Sequence, residues 1–163
     1  MNPATPTLPL GLTLKTAEDT AALARRMAPA LAPGDVILLS GPIGAGKTHF
    51  ARALIQARLA AIGGAEDVPS PTFTLVQTYE ADVEIWHADL YRLTLADEVV
   101  ELGLEEAFQS AICLVEWPDR LGALQPSGAL TMTFTPESMG EARHLTISGT
   151  GGRWAALIAG LIV

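Results

Sequence analysis

Eight consecutive residues, Gly41-Pro42-Ile43-Gly44-Ala45-Gly46-Lys47-Thr48, carry the most legible chemistry in this chain. They satisfy G-x-x-x-x-G-K-[ST] at every fixed position, the pattern of a nucleoside-triphosphate phosphate loop. Such a loop works mainly through its backbone. Around Gly41, Gly44, Ala45 and Gly46 the N–H groups can converge on phosphate oxygens, and a helix starting there adds partial positive charge. Lys47 is spaced to reach the β- and γ-phosphates, and the Thr48 hydroxyl to coordinate Mg²⁺. The alternative is a glycine-rich turn that caps a helix; motif and flanking pattern together favour the phosphate loop.

Hydrolysis or transfer needs two further groups, a carboxylate for the metal and something that orients the attacking atom. Glu116 ends the apolar run Ile112-Cys113-Leu114-Val115. In open α/β sheets ligands sit at the carboxyl ends of strands, so Glu116 faces the loop if its strand neighbours 36–40. Otherwise it is an exposed strand-end glutamate. Asp89, in His87-Ala88-Asp89-Leu90-Tyr91-Arg92, can orient or deprotonate a water or support the metal; capping the next helix or pairing with Arg92 are the alternatives. Thr72 can reach Mg²⁺ or the γ-phosphate as a switch residue does, although Ser70-Pro71-Thr72 also makes an ordinary turn. His49, His87 and His144 share no metal spacing, and His87 reads as structural. Cys113 lies in an apolar run and reads as core packing.

The elements that must position these groups follow from local pattern. Asp35 to Ser40 is a short apolar, β-branched run, a buried strand, and Phe50, Leu54 and Leu59 after the loop have helical spacing. Strand, loop, helix is the order the motif needs. Upstream, Leu12-Thr13-Leu14 is a short edge strand, and the capping-box spacing of Thr16 to Asp19 opens a helix over about 17–30. Downstream, 61–67 read as a mobile connection, and a strand starting near Ser70-Pro71-Thr72-Phe73 pairs as a hairpin with 83–91 through Ala81-Asp82. Asp97 to Phe108 is helical but broken near Gly103. Ala111 to Glu116 is a buried strand, Pro118 to Leu121 a first helical turn, 129–135 and 143–148 an antiparallel pair, and Trp154 to Val163 an apolar helix.

The chain has 163 residues, 49% of them hydrophobic, which suits one α/β domain over 11–163 behind a disordered, proline-rich tail at 1–10. No apolar run approaches the length of a membrane span, and the N-terminus lacks the pattern of a secretory signal. The expected location is cytoplasmic, with no membrane partner. Net charge is −8 and only Lys15 and Lys47 are lysines, a poor balance for binding nucleic acid directly.

Taken together, Gly44-Ala45-Gly46-Lys47-Thr48, Ser70 to Val76, His87 to Leu93, Glu101 to Glu106 and Leu114-Val115-Glu116-Trp117-Pro118 resemble the TsaE family, small bacterial ATPases required for tRNA threonylcarbamoyladenosine modification. The resemblance runs from about 16 to 121; the C-terminal third is only generically similar. It implies a single P-loop NTPase-like α/β domain with a mixed parallel and antiparallel sheet flanked by helices. It implies ATP or ADP with Mg²⁺ as ligands, Lys47 and Thr48 on the phosphates and metal, Glu116 as the metal carboxylate and Asp89 as the acidic residue of hydrolysis. Thr72 falls in a switch-like loop, Trp117 beside the nucleotide and Thr20 where it touches adenine. The implied partners are the transferase subunit of the modification complex and its paralogue, which a weak ATPase resets between cycles, with tRNA engaged indirectly. This chain departs from the family at Pro42, His49, Ala88 and a longer connection over 63–67; His49 stands near the α-phosphate and can donate to it.

Two other readings share the scaffold. A small-molecule kinase would carry a lid with several arginines, whereas Arg58, Arg92, Arg120, Arg143 and Arg153 are dispersed. A nucleotide-binding module without turnover would use Asp89 and Glu116 only to tune Mg²⁺.

Overall fold

A computed structural model describes residues 8–64, 68, 75–94, 97–138 and 140–162. Seven strands form one sheet in the order β1-β7-β6-β2-β5-β4-β3. These are β1 (Leu10–Leu14), β2 (Val36–Ser40), β3 (Val76–Glu80), β4 (Glu84–Asp89), β5 (Ile112–Glu116), β6 (Leu130–Pro136) and β7 (Arg143–Ser148). The inner four, β6, β2, β5 and β4, run parallel, so their carboxyl ends share one edge. The outer pairs β1–β7, β6–β7 and β3–β4 are antiparallel, which makes the sheet mixed.

Strand periodicity divides the core. Ile37 and Leu39 of β2, with Ile112 and Leu114 of β5, bury against α1 (Ala17–Met27), α2 (Lys47–Ala60) and α5 (Gly152–Ile162). Their neighbours Val36, Leu38, Cys113 and Val115 point the other way, onto α3 (Asp97–Glu101), α4 (Leu104–Ser110) and a 3-10 stretch over Pro118–Leu124. Successive side chains on a strand face opposite sides, so runs buried on both faces read as continuously apolar. Val36 to Leu39 of β2 and Ile112 to Glu116 of β5 are each at most 3% exposed. That rigidity fixes where the strand ends stand.

Local signals set the helix boundaries. Thr16 Oγ1 accepts from the Asp19 amide at 3.1 Å while Asp19 Oδ2 accepts from the Thr16 amide at 3.2 Å, a reciprocal cap that starts α1. Gly103, at φ 80°, supplies the left-handed step between α3 and α4. Two boundaries differ from the sequence reading. The first strand starts at Leu10, inside the stretch read as a tail, because its backbone pairs with Ile147 of β7; residues 1–7 lie outside the described ones. Among the described residues the hairpin strand starts at Val76, and Leu75 before it has a positive φ of 65° that is not extended. Residues 69–74, with Thr72 and the Ser-Pro-Thr stretch, also lie outside the described residues.

Candidate functional site

The phosphate loop runs from the carboxyl end of β2 to the first turn of α2, across the end of β6. It is seated by close approach: a Cβ on Gly41, whose φ is 137°, would lie 2.4 Å from the Phe134 carbonyl oxygen. Gly44 at φ 78° and Gly46 at φ 109° turn the backbone around the loop's concave side. Gly46 stands at the N-cap of α2, and no side chain caps that turn. Its orphan N–H groups and positive helix end therefore face the loop, the condition for binding an anion.

The parallel register delivers the acidic partners. Leu39 pairs with Glu116 and Glu116 with Asp89, so both carboxylates stand at the strand ends beside the loop. Thr48 Oγ1 donates to Glu116 Oε1 at 2.7 Å, and His87 Nε2 lies 2.7 Å from Glu116 Oε2. Glu116 is thus gripped on both oxygens, although it is 2% exposed. His87 is fully buried, and among the described residues its Nδ1 has no hydrogen-bond partner. This histidine does fill a structural place, as its sequence context suggested, but the atom it positions is the carboxylate of the site.

Lys47 donates to the Gly41 carbonyl, and its ammonium stands 3.6 Å from the centre of the Trp117 ring. Burial lowers the Lys47 pKa, opposed by the nearby charges of Glu116, Asp89 and Asp119. Asp89 accepts from the Tyr91 amide at 3.1 Å. Burial raises its pKa above the ordinary aspartate value, and the negative charge of Glu116 adds to this. Asp89 is therefore a better proton acceptor than a solvated aspartate. Tyr91 and Trp117 pack at 4.9 Å between ring centres, and Trp117 holds a left-handed φ of 59°. These groups surround a cleft of about 460 Å³ lined by Ile43, Gly46, Lys47, Thr48, Asp89, Glu116 and Trp117, among others.

Of the residues singled out in the sequence, Gly44, Gly46, Lys47, Thr48, His49, Asp89, Glu116 and Trp117 line this cleft. Thr20 does not: it is 2% exposed within α1. His49 reaches the cleft wall, but its Nε2 bonds the Ala17 carbonyl at 3.0 Å, so that nitrogen ties α2 to α1 instead of pointing at a phosphate. Arg143, read as one of several scattered arginines, lies behind the loop and bonds the carbonyls of Gly44 and Ala45 at 3.2 and 3.1 Å. Nothing local in the sequence links it to the loop, which is about a hundred residues away in the chain.

The fold and this site define a P-loop NTPase-like protein. A family model described as threonylcarbamoyl adenosine biosynthesis protein TsaE matches residues 14–145. The chain belongs to the TsaE family. A relative from Bacillus subtilis strain 168, called tRNA threonylcarbamoyladenosine biosynthesis protein TsaE, is 35% identical over 142 residues, covering 86% of this chain and 85% of that one. A relative of the same name from Rickettsia conorii is 44% identical over 108 residues, covering 66% of this chain but only 60% of its own length. The crystal structure of Bacillus subtilis YdiB superimposes with a TM-score of 0.74 at 30% identity, over 93% of both chains. Among the described residues no helix is long and apolar enough to cross a membrane.

Proposed function

We propose that this chain binds ATP with Mg²⁺ in the cleft, hydrolyses it to ADP and phosphate, and serves tRNA threonylcarbamoyladenosine synthesis. The observation that carries the reading is the 2.7 Å contact of Thr48 Oγ1 with Glu116 Oε1, beside Lys47 at the mouth of an uncapped helix. Mg²⁺ prefers oxygen ligands and keeps several waters, so a hydroxyl and one carboxylate beside phosphate oxygens suit it. Among the described residues no cluster of three or more His, Cys, Asp or Glu forms a separate metal site. The donor set fits.

In this reading the loop amides and Lys47 hold the phosphates, with Lys47 leaving the Gly41 carbonyl to do so. Thr48 and Glu116 hold the metal, which when bound neutralises charge developing on the β- and γ-oxygens. Asp89 orients a water and takes its proton as the water oxygen bonds to the γ-phosphorus and the bridging bond to the β-phosphate breaks. Trp117 walls the site, and Thr72 and Thr20 keep the switch and adenine roles the family resemblance implies. The expected partners are the transferase subunit and its paralogue, reset by each hydrolysis, with tRNA reached through them.

The test is Mg²⁺-dependent ATP hydrolysis by the purified chain, alone and with that complex and tRNA. Turnover that is slow alone, rises with the complex and vanishes in Lys47→Ala supports the reading. Asp89→Ala should abolish hydrolysis while ADP still binds; if hydrolysis survives, Asp89 has no part in it. A rate indifferent to the complex removes the pathway from the proposal.

A further inference from the structure

We propose that Arg143 is a positioning residue for the phosphate loop, holding it in its anion-binding shape from the side away from the cleft. The inference rests on the phosphate-loop reading above. Arg143 opens β7, next to the β6 end on which the loop lies. Its guanidinium joins two segments. Nε donates to the Ala45 carbonyl at 3.1 Å and one terminal nitrogen to the Gly44 carbonyl at 3.2 Å. The other terminal nitrogen donates to Ala142 at 3.0 Å and Gly140 at 3.3 Å, in the connection between β6 and β7. Among the described residues no carboxylate forms an ion pair with it.

The peptide bond turns these contacts into an effect on the other side of the loop. In a trans peptide the C=O of one residue and the N–H of the next point in opposite directions. Holding the Gly44 and Ala45 carbonyls outward therefore turns the Ala45 and Gly46 amides inward. The Ala45 amide closes on the Pro42 carbonyl at 3.2 Å, which tightens the turn. The Gly46 amide is presented at the cleft, which Gly46 lines. A hydrogen bond to a peptide oxygen also polarises the amide and strengthens its N–H as a donor. Arg143 is not among the cleft-lining residues, so it acts through the loop rather than on the nucleotide.

The planar fork is the part that matters. A guanidinium serves several carbonyls in a fixed geometry, whereas a lysine ammonium is a single point charge on a flexible stem. The same fork makes the hairpin tip and the loop one unit, so ordering the loop with nucleotide also orders the tip. Binding linkage is reciprocal.

The experiment is ADP affinity by calorimetry on the full chain, for wild type, Arg143→Lys, Arg143→Met and Lys47→Ala. Amide exchange is followed at 44–48 and 140–143 with and without ADP. Expected are at least tenfold weaker ADP binding in Arg143→Met, at most partial recovery in Arg143→Lys, and slower exchange at 140–143 when ADP binds the wild type. If Arg143→Met binds ADP within twofold of wild type while Lys47→Ala does not bind, the Arg143 role is wrong and the phosphate-loop reading stands. If Lys47→Ala binds like wild type, that underlying reading fails first. Full affinity in Arg143→Lys reduces the effect to charge and overturns the clamp. Should Arg143→Met not fold, Arg143→Lys and the wild-type exchange decide, and no ADP protection at 140–143 overturns the proposal.

Discussion

Glu116 shows how one residue's chemistry is set by its neighbours. Its oxygens have separate holders, Thr48 on Oε1 and His87 on Oε2, both at 2.7 Å. A buried imidazole with one nitrogen unpartnered is costly, about 1–3 kcal/mol for an unsatisfied buried polar group. Among the described residues Nδ1 has no partner, while Nε2 lies against the carboxylate. His87→Leu removes that nitrogen but also strips the buried Oε2 of its partner, so the carboxylate is held on Oε1 alone at some cost in stability. We predict that nucleotide binding then needs several-fold more Mg²⁺ while metal-free binding is unchanged. Mg²⁺ titrations of ADP binding, wild type against variant, report this directly; superimposable curves would refute the aiming role.

Elements carry the next level. The loop and the end of β6 fit so closely that Gly41→Ala would press a methyl into the Phe134 carbonyl, 2.4 Å away, at a φ of 137°. Strain of this kind costs about 1–3 kcal/mol, and denaturant titration should show a loss in that range together with loss of ADP binding. The β3–β4 turn is tied to α2 by Arg58, which donates to both carboxylate oxygens of Asp82 at 2.7 and 2.9 Å. These hydrogen bonds lower the Asp82 pKa below 3.8. A folded-state pKa below the unfolded one gives stability that is present above the unfolded value and lost as pH falls through the folded value. Wild type should thus exceed Asp82→Asn in denaturation midpoint at pH 7, and the gap should close below pH 3.8. Midpoints from neutral pH down to pH 2 check the sign; a gap that persists in acid contradicts it.

Across the whole molecule, binding and folding are linked. ADP at about a hundred times its Kd should add about 2.7 kcal/mol to stability, a rise of roughly 5 to 10 °C in Tm for a chain of this size. Thermal melts of Lys47→Ala should show no shift. Cys113 offers a probe of unfolding, since burial and the Glu84 charge push its thiol up to about 12. Alkylation at pH 8 should therefore proceed only when the chain opens. What the sequence made legible was contiguous: the loop, its flanking strand and helix, the strand ending in Glu116, the break at Gly103. Glu116 and Asp89 were placed correctly because a parallel strand's carboxyl end is a position that local pattern can name. The contacts of His87 with Glu116 and of Arg143 with the loop were not legible, because they depend on which strands lie side by side. That order is decided by burial over the entire sheet. Thr20 is buried in α1 and is not among the cleft-lining residues, because helical periodicity gives a buried face without saying which cavity lies near it.

The indole of Trp117 has a further use. The Lys47 ammonium rests 3.6 Å from its ring centre, within cation–π distance. The chain's other tryptophans, Trp86 and Trp154, donate their indole N–H groups to Glu84 and to the Gly128 carbonyl, away from the cleft. Withdrawal of Lys47 to a nucleotide would therefore register as a change in emission from one ring. If the proposed nucleotide binding holds, that change reports occupancy without a label. That signal should survive Trp86→Phe with Trp154→Phe and disappear in Trp117→Phe.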